Sequence, residues 1–396
     1  MKIGLQLFTA LAMMTGTMTM AADTPKNALE LDPNMAIRPA NEDGLRFLSP
    51  DDAPLRLTGF LFRDRDKVYR RMPLKPAEPF SPGVENLAWN TAGGQVAFRT
   101  DSSRIVLKVK MRGNNVMYHM AQTGTAGFDL YAGEPGRQRF FGVTRFAAGA
   151  PEYTAQVFKT VRPKMREFTI NFPLYAGVES VYIGLDEKAK VEAPTPWADD
   201  RPIVIYGTSI TQGGCAARPG MAYTNILSRM LNRPVVNLGF SGNGKGEAGV
   251  AAEIARVANP AMFVLDYDAN SGGAEKIAAS MPVFIDVLRK SHPTTPILVI
   301  SRIRPGGESL DYARNEEAPR STGQAASVKV QRELVEKRRA EGDRNIYFLD
   351  GGTVINSDDW DEVTVDGSHP TDYGFALMAR SIAPVVSRIL TENTSK

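Results

Sequence analysis

The 396-residue chain has a single cysteine, Cys215, and only three histidines, His119, His292 and His369. One thiol cannot form an intramolecular disulfide, so the fold must be held by core packing even in an oxidising compartment. An excess of charge of one sign is also missing, since 47 Lys and Arg stand against 44 Asp and Glu for a formal net charge of +3. A nucleic-acid binder gathers its cations on one face, so none is expected as a partner; Arg70-Arg71 and Arg338-Arg339 read as pairs on solvated faces. After the first residues no apolar run approaches the about 20 residues of a membrane span. Stable membrane insertion is therefore not expected.

What is present begins with Met1-Lys-Ile-Gly-Leu-Gln-Leu-Phe, an apolar stretch behind one lysine, followed by small residues around Ala21-Ala22. Thr15, Gly16, Thr17 and Thr19 interrupt it, which suits a secretory signal rather than an anchor. Residues 1–22 are read as that signal, and the remainder as secreted or periplasmic.

At roughly 100 to 200 residues per domain, the rest of the chain suggests two. The Pro-rich segment 188–202 is the expected linker, giving a domain over 23–195 and another over 196–396. In the first, short runs at 55–62, 96–99, 105–111, 128–131, 168–172 and 180–185 carry β-branched or aromatic residues between turn signals. Ile105, Leu107, Val109 and Met111 alternate with lysines, and the region reads as a β-sandwich that binds sugar or forms one wall of a cleft. In the second, apolar strands at 203–206, 235–238, 262–265, 297–300 and 346–349 alternate with helical patterns at 221–231, 248–257, 277–288, 328–339 and 375–390. Such alternation implies an α/β fold with a parallel sheet covered by helices on both faces.

The stretch from Arg201 to Gly214 organises the second half. Ile203 to Tyr206 stop abruptly at Gly207, and Thr208 and Ser209 then lie between a strand and a helix, at the strand end where α/β sheets place ligands. Ser209 reads either as a nucleophile or as part of an ordinary helix cap. A serine needs a base. His119 lies in an apparent strand and His292 at a helix end, whereas His369 sits three residues after Asp366 in a Gly and Pro turn. That spacing lets the carboxylate fold back on one imidazole nitrogen while the other faces the serine. Cys215 has no base of its own nearby and reads as structural.

Four blocks, Gly207-Thr-Ser-Ile-Thr211, Asn237-Leu-Gly-Phe-Ser-Gly-Asn243, Asp266-Tyr-Asp-Ala-Asn270 and Asp366-Gly-Ser-His-Pro370, resemble in that order the four blocks of the SGNH (GDSL-like) hydrolases. Gly127-Phe-Asp-Leu-Tyr131 resembles the signature of the GxDLY domain that precedes the hydrolase domain in one subgroup. The resemblance implies a flavodoxin-like hydrolase domain behind a jelly-roll-like sandwich. It also implies Ser209 as nucleophile, His369 as base and Asp366 as its orienting partner, with oxyanion donors from Ser209, Gly242 and Asn270. Two departures stand out. Thr208 replaces the usual Asp of the first block; in the third, Asp268 occupies the usual glycine position and Ser271 follows the asparagine, which makes Asn243 a rival to Asn270. The implied activity is a serine esterase needing no cofactor or metal, which removes a short acyl group, acetyl foremost, from a small-molecule or polysaccharide ester. Lipases, thioesterases and lysophospholipases share the family, and a non-catalytic carbohydrate-binding protein is the alternative outside enzymology.

Overall fold

The computed structural model describes residues 44–113, 115–304 and 322–394; the expected signal and the Pro-rich opening after it lie outside them. Among these residues ten strands form two antiparallel sheets. One runs β1 (Leu45–Leu48), β9 (Gly177–Asp186), β4 (Arg104–Gly113), β7 (Glu152–Lys159). The other runs β10 (Val191–Glu192), β3 (Gln95–Thr100), β8 (Arg166–Asn171), β5 (Asp129–Ala132), β6 (Arg139–Val143), with β2 (Arg56–Thr58) also on β3. Side chains from both share one core, including Phe98, Phe168 and Ile170 from the second sheet and Leu107, Ile183 and Leu185 from the first. The expected alternation in β4 is observed: Ile105, Leu107, Val109 and Met111 are buried, and Lys108 and Lys110 exposed.

The third sheet is parallel, in the order β12 (Val235–Gly239), β11 (Ile203–Gly207), β13 (Met262–Asp266), β14 (Ile297–Ile300), β15 (Ile346–Leu349). This is the 2-1-3-4-5 order of flavodoxin-like folds, whose ligands bind beyond the carboxyl ends of the strands at the crevice where the order reverses. Both faces are covered, which is why the strands are almost wholly apolar, with Asn237 of β12 and Asp266 at the end of β13 as exceptions. Ile203 and Ile205 pack into one cluster with Leu227 of α2 (Tyr223–Leu231) and Phe375, Met378 and Ile382 of α6 (Asp372–Thr394). Val204 and Tyr206 face a second cluster with Val250 of α3 (Ala248–Ile254), Phe284 of α4 (Ala274–Ser291) and Val335 of α5 (Thr322–Ala340). Among the described residues α6 is the one helix long and apolar enough to cross a membrane, yet half of that stretch is buried. Its apolar face lies against the sheet.

Several expectations need correction. The run at 55–62 is a strand only at Arg56–Thr58, because a turn and the helix Arg63–Asp66 follow. His119 is not within a strand but in a tight turn closed by the Met117–Met120 bridge. His292 is half-buried rather than solvated, with Nε2 2.9 Å from the Ala255 carbonyl. Arg70 and Arg71 are 1% and 0% exposed, the opposite of a solvated pair. The linker is strapped to the sandwich: Val191 and Glu192 pair with β3, and Thr195 donates to Glu167 through N and Oγ at 3.0 and 2.6 Å.

Candidate active site

Ser209 stands at the carboxyl end of β11, as the first residue of a single-turn helix, α1 (Ser209–Gln212). Thr208 is extended and caps that helix, its side chain accepting from Ile210 N at 3.3 Å. Aspartate and threonine both serve as N-caps, so the departure in the first block conserves the cap while Ser209 stays free of it. The Ser209 N–H lies in the first helical turn, where no intrahelical acceptor exists. A side chain at Gly214 would meet Tyr175 Oη at 2.8 Å and His369 Cδ2 at 3.2 Å, so glycine there lets the histidine close over the serine.

His369 comes from the turn before α6, where Val365 N donates to His369 O at 2.8 Å. Within that turn Asp366 Oδ1 accepts from Ser368 N at 3.1 Å and His369 N at 2.8 Å, and Oδ2 lies 2.8 Å from His369 Nδ1. Burial pushes the Asp366 carboxyl up, but these hydrogen bonds outweigh it and hold its pKa at about 2. An ionised carboxylate only accepts hydrogen bonds, so Nδ1 carries the ring proton and Nε2 keeps its lone pair. That nitrogen lies 2.9 Å from Ser209 Oγ. The His369 and Asp366 side chains are 24% and 25% exposed, so the group sits in a shallow, open position.

The strand order brings the next two loops alongside. Gly207 is in register with Gly239 of β12 on one side and Asp266 of β13 on the other. After β12, Gly242 is exposed with φ +67°, and a Cβ there would meet nothing within 4 Å. Glycine is needed here for its left-handed backbone rather than to relieve crowding. After β13, Asn270 closes a 3-10 turn (Asp268–Asn270). Its Oδ1 is buried without a partner, whereas Asn243 Nδ2 is engaged by the Ser241 carbonyl at 2.8 Å. Asp268, in place of glycine, accepts from Arg302 N at 3.0 Å and Gln331 Nε2 at 2.9 Å, and Ser271 Oγ donates to its carbonyl at 2.8 Å. The rebuilt loop is thus tied to the sequence after β14 and to α5.

Profiles of known families match both halves. Residues 200–387 match the GDSL-like lipase/acylhydrolase family, and residues 45–191 match GxDLY, the N-terminus of SGNH-hydrolase-type esterases. A structure described as a GDSL-like lipase from Bacteroides ovatus is 30% identical with a TM-score of 0.78, covering 88% of this chain and 98% of that one. The chain belongs to the GDSL-like lipase/acylhydrolase family. Two further structures share the fold at lower identity. A salicylyl-acyltransferase from a tetracycline biosynthetic pathway is 20% identical, TM-score 0.71, covering 88% of this chain and 98% of its own. A family two carbohydrate esterase from Clostridium thermocellum, in complex with cellohexaose, is 15% identical, TM-score 0.56, covering 76% and 93%. Curated protein sequences give no significant match.

Sequence reasoning missed how this GDSL-like hydrolase fixes the two loops beside Ser209. Gln212 spans them: Nε2 donates to Asn90 Oδ1 at 3.0 Å and Leu174 O at 3.1 Å, and Oε1 accepts from Ser241 N at 3.0 Å. Beneath, the Arg71 guanidinium donates to the carbonyls of Asn90 (2.8 Å), Leu87 (2.8 Å), Asn237 (3.3 Å) and Gly239 (2.5 Å). Burial lowers its pKa to about 9. The residue types around Arg71 carried no signal of this. The GxDLY signature is also explained. Asp129, fully buried, accepts from Gly220 N at 2.8 Å, Arg218 Nη1 at 3.0 Å and Asn171 Nδ2 at 2.7 Å, while Tyr131 Oη takes a 2.6 Å bond from Arg218. The motif clamps the loop that follows the serine helix.

Of the three histidines, two reach the site. His119 presents its ring edge-on to His369, centroids 5.7 Å apart, and stacks on Tyr118 at 4.4 Å. Cys215 is buried, and desolvation, then the Asp366 charge, push its thiol up to about 12. A protonated thiol is a poor nucleophile, which agrees with its structural reading.

Proposed function

We propose that the protein is a secreted or periplasmic serine esterase that hydrolyses short-chain acyl esters, acetyl esters foremost, on carbohydrate. The observation carrying this reading is the continuous line from Ser209 Oγ through His369 to Asp366, joined at 2.9 and 2.8 Å. His369 Nε2 takes the serine proton as Oγ attacks the acyl carbon, and Asp366 balances the imidazolium that forms. The oxyanion is met by the N–H groups of Ser209 and Gly242 and by Asn270 Nδ2. As the intermediate collapses, the alcohol's C–O bond breaks and His369 protonates the leaving oxygen. Water, losing a proton to the same nitrogen, then attacks the acyl-serine; collapse breaks the bond to Oγ, which takes that proton back from His369, and the acid leaves.

Substrate class follows from exposure and from relatives. A quarter-exposed His–Asp pair leaves room for a bulky alcohol half outside the site while a small acyl group faces Ser209. The cellohexaose-bound esterase places sugar on the same fold and supports a carbohydrate alcohol. The test is acetate release from acetylated polysaccharides, run beside p-nitrophenyl esters of increasing chain length and a fluorophosphonate label on Ser209. A preference for long chains would replace this reading by a lipase-type one, and a serine inert to the label would leave a binding protein.

A further inference from the structure

Around the His369–Asp366 pair of its ester chemistry, the site adds two donors, His119 and Cys215, that no step of that chemistry uses. One nitrogen each of His119 and His369, the Cys215 sulfur and a carboxylate oxygen of Asp366 all lie within 4.8 Å of one another. They come from three separate segments of the sequence: the turn at 117–120, the loop after α1, and the 364–370 turn, which supplies two of them. His119 Nδ1 is buried with no hydrogen-bond partner, so a polar atom has been brought into the protein with nothing to satisfy it.

We propose that His119, Cys215, Asp366 and His369 form a site for a borderline-soft divalent cation, with zinc as the reference case, and that filling it switches the esterase off. Two imidazoles, one thiolate and one carboxylate make a tetrahedral N2SO set, which suits Zn2+ and Co2+. Ca2+ and Mg2+ require mostly oxygen ligands and are disfavoured. With metal–ligand bonds of about 2.0 to 2.3 Å, tetrahedral donors stand about 3.5 Å apart, so the group needs a contraction of about an ångström and no change of fold. His119 sits in a two-residue turn able to supply it. On binding, Cys215 gives its proton to solvent and the cation becomes its counter-charge.

Inhibition follows from which groups are shared. If the cation takes His369 Nε2, Ser209 loses its base; if it takes Nδ1, the ring loses Asp366. Hydrolysis stops either way, and a chelator restores it. The binding part of the inference is independent of the esterase reading, and the inhibition part rests on it.

The decisive experiment is titration of the full chain with Co2+, followed by absorption spectroscopy. Expected are one equivalent bound, the intense visible bands of a tetrahedral ion, a thiolate-to-cobalt charge-transfer band, and displacement by Zn2+. Ser209→Ala should give the same spectrum because it removes no ligand. Cys215→Ala should lose the charge-transfer band. In the esterase assay, Cys215→Ala and His119→Ala should each need about tenfold more Zn2+ or more for half-inhibition, since even indirect partners of metal ligands are worth 10- to 100-fold. A wild-type Co2+ spectrum lacking the thiolate band, or Zn2+ inhibition equally strong in folded wild type, Cys215→Ala and His119→Ala, overturns the proposal. If no esterase activity is found at all, the cobalt spectrum still decides the site.

Discussion

Replacing Asp366 by Asn tests the orientation of His369 with almost no change of volume. Oδ1 can still accept from Ser368 N and His369 N, so the turn has no reason to open. The amide group takes the place of Oδ2, 2.8 Å from Nδ1, and donates where the carboxylate accepted. The ring then moves its proton to Nε2 and points a donor at Ser209 Oγ instead of a lone pair. Reaching the working tautomer sets two donors against each other, leaving one unsatisfied at about 1 to 3 kcal/mol. The imidazolium of the transition state also loses a charge-assisted bond of about 1.5 to 3 kcal/mol. Together these raise the barrier by roughly 2.5 to 6 kcal/mol, a fall in kcat of about 10^2 to 10^4. Since neither effect touches substrate binding, KM should stay within about threefold. Steady-state hydrolysis of p-nitrophenyl acetate measures both constants, and a melting curve confirms the fold. A folded variant keeping more than about a tenth of wild-type kcat would refute the tautomer argument, and Asp366 would be an ordinary turn residue.

Further predictions bear on other parts of the site. Ser209→Ala should abolish ester hydrolysis and fluorophosphonate labelling with an unchanged melting curve, because it deletes one hydroxyl at a capped helix start. Asn270→Ala should lower kcat about a hundredfold or more with little effect on KM. Asn243→Ala, whose amide is already held by Ser241, should leave kcat near normal; the reverse pattern would reassign the third oxyanion donor. Arg71→Met deprives four carbonyls of their donor, at about 1 kcal/mol or more each, while relieving a buried charge. The net loss should be about 2 to 5 kcal/mol in urea unfolding, and an equally stable variant would contradict the role given to that guanidinium. Asp266, accepting from Tyr223 Oη at 2.7 Å and Thr211 Oγ1 at 3.0 Å, is pushed up to about 7 chiefly by burial. Its folded pKa lies above its unfolded one, so its contribution is fully present below about pH 4 and is lost as pH rises through 7. Asp266→Asn should therefore gain on wild type between pH 5 and pH 8, by about 1 kcal/mol or more in thermal or urea unfolding; a pH-independent difference would place the titration elsewhere.

The parallel sheet was legible almost residue by residue, because strands buried on both faces leave an apolar run that needs no partner to be recognised. Ile297–Ile300 and Ile346–Leu349 have the expected bounds. The sandwich was less legible. β6 and β7 were not anticipated, since Arg139–Val143 is exposed through most of its length and Glu152–Lys159 carries polar residues on its open side. Ser209, His369 and Asp366 could be named because their spacing is local or their block distinctive, and the structure brings the three together. What supports them could not. Gln212 and Arg71 act through backbone carbonyls and amides distant in sequence, and such partners leave no trace in residue type. Arg71 misled for a physical reason: a guanidinium is ordinarily solvated, and only the four converging carbonyls that meet its donors make its burial tolerable. The position of His119 was equally hidden, because a turn at 117–120 meets one at 364–370 only after both halves have folded.

The clamp at Asp129 bears on how such proteins can be recombined. Its carboxylate is fully buried and accepts from Asn171 of its own sheet and from Arg218 and Gly220 beyond the linker. Grafting this sandwich onto a hydrolase half that lacks the arginine would strand an anion in the seam, and grafting the hydrolase half elsewhere would leave Arg218 without its carboxylate. Expressing residues 196–396 alone would also expose the carbonyls that Arg71 serves and the backbone of Ser209 that Tyr175 touches at 3.3 Å. A functional chimaera must therefore exchange Asp129, Tyr131, Arg218 and Gly220 as one set, together with Arg71 and the loop it holds. The smallest transferable unit of this esterase is the pair.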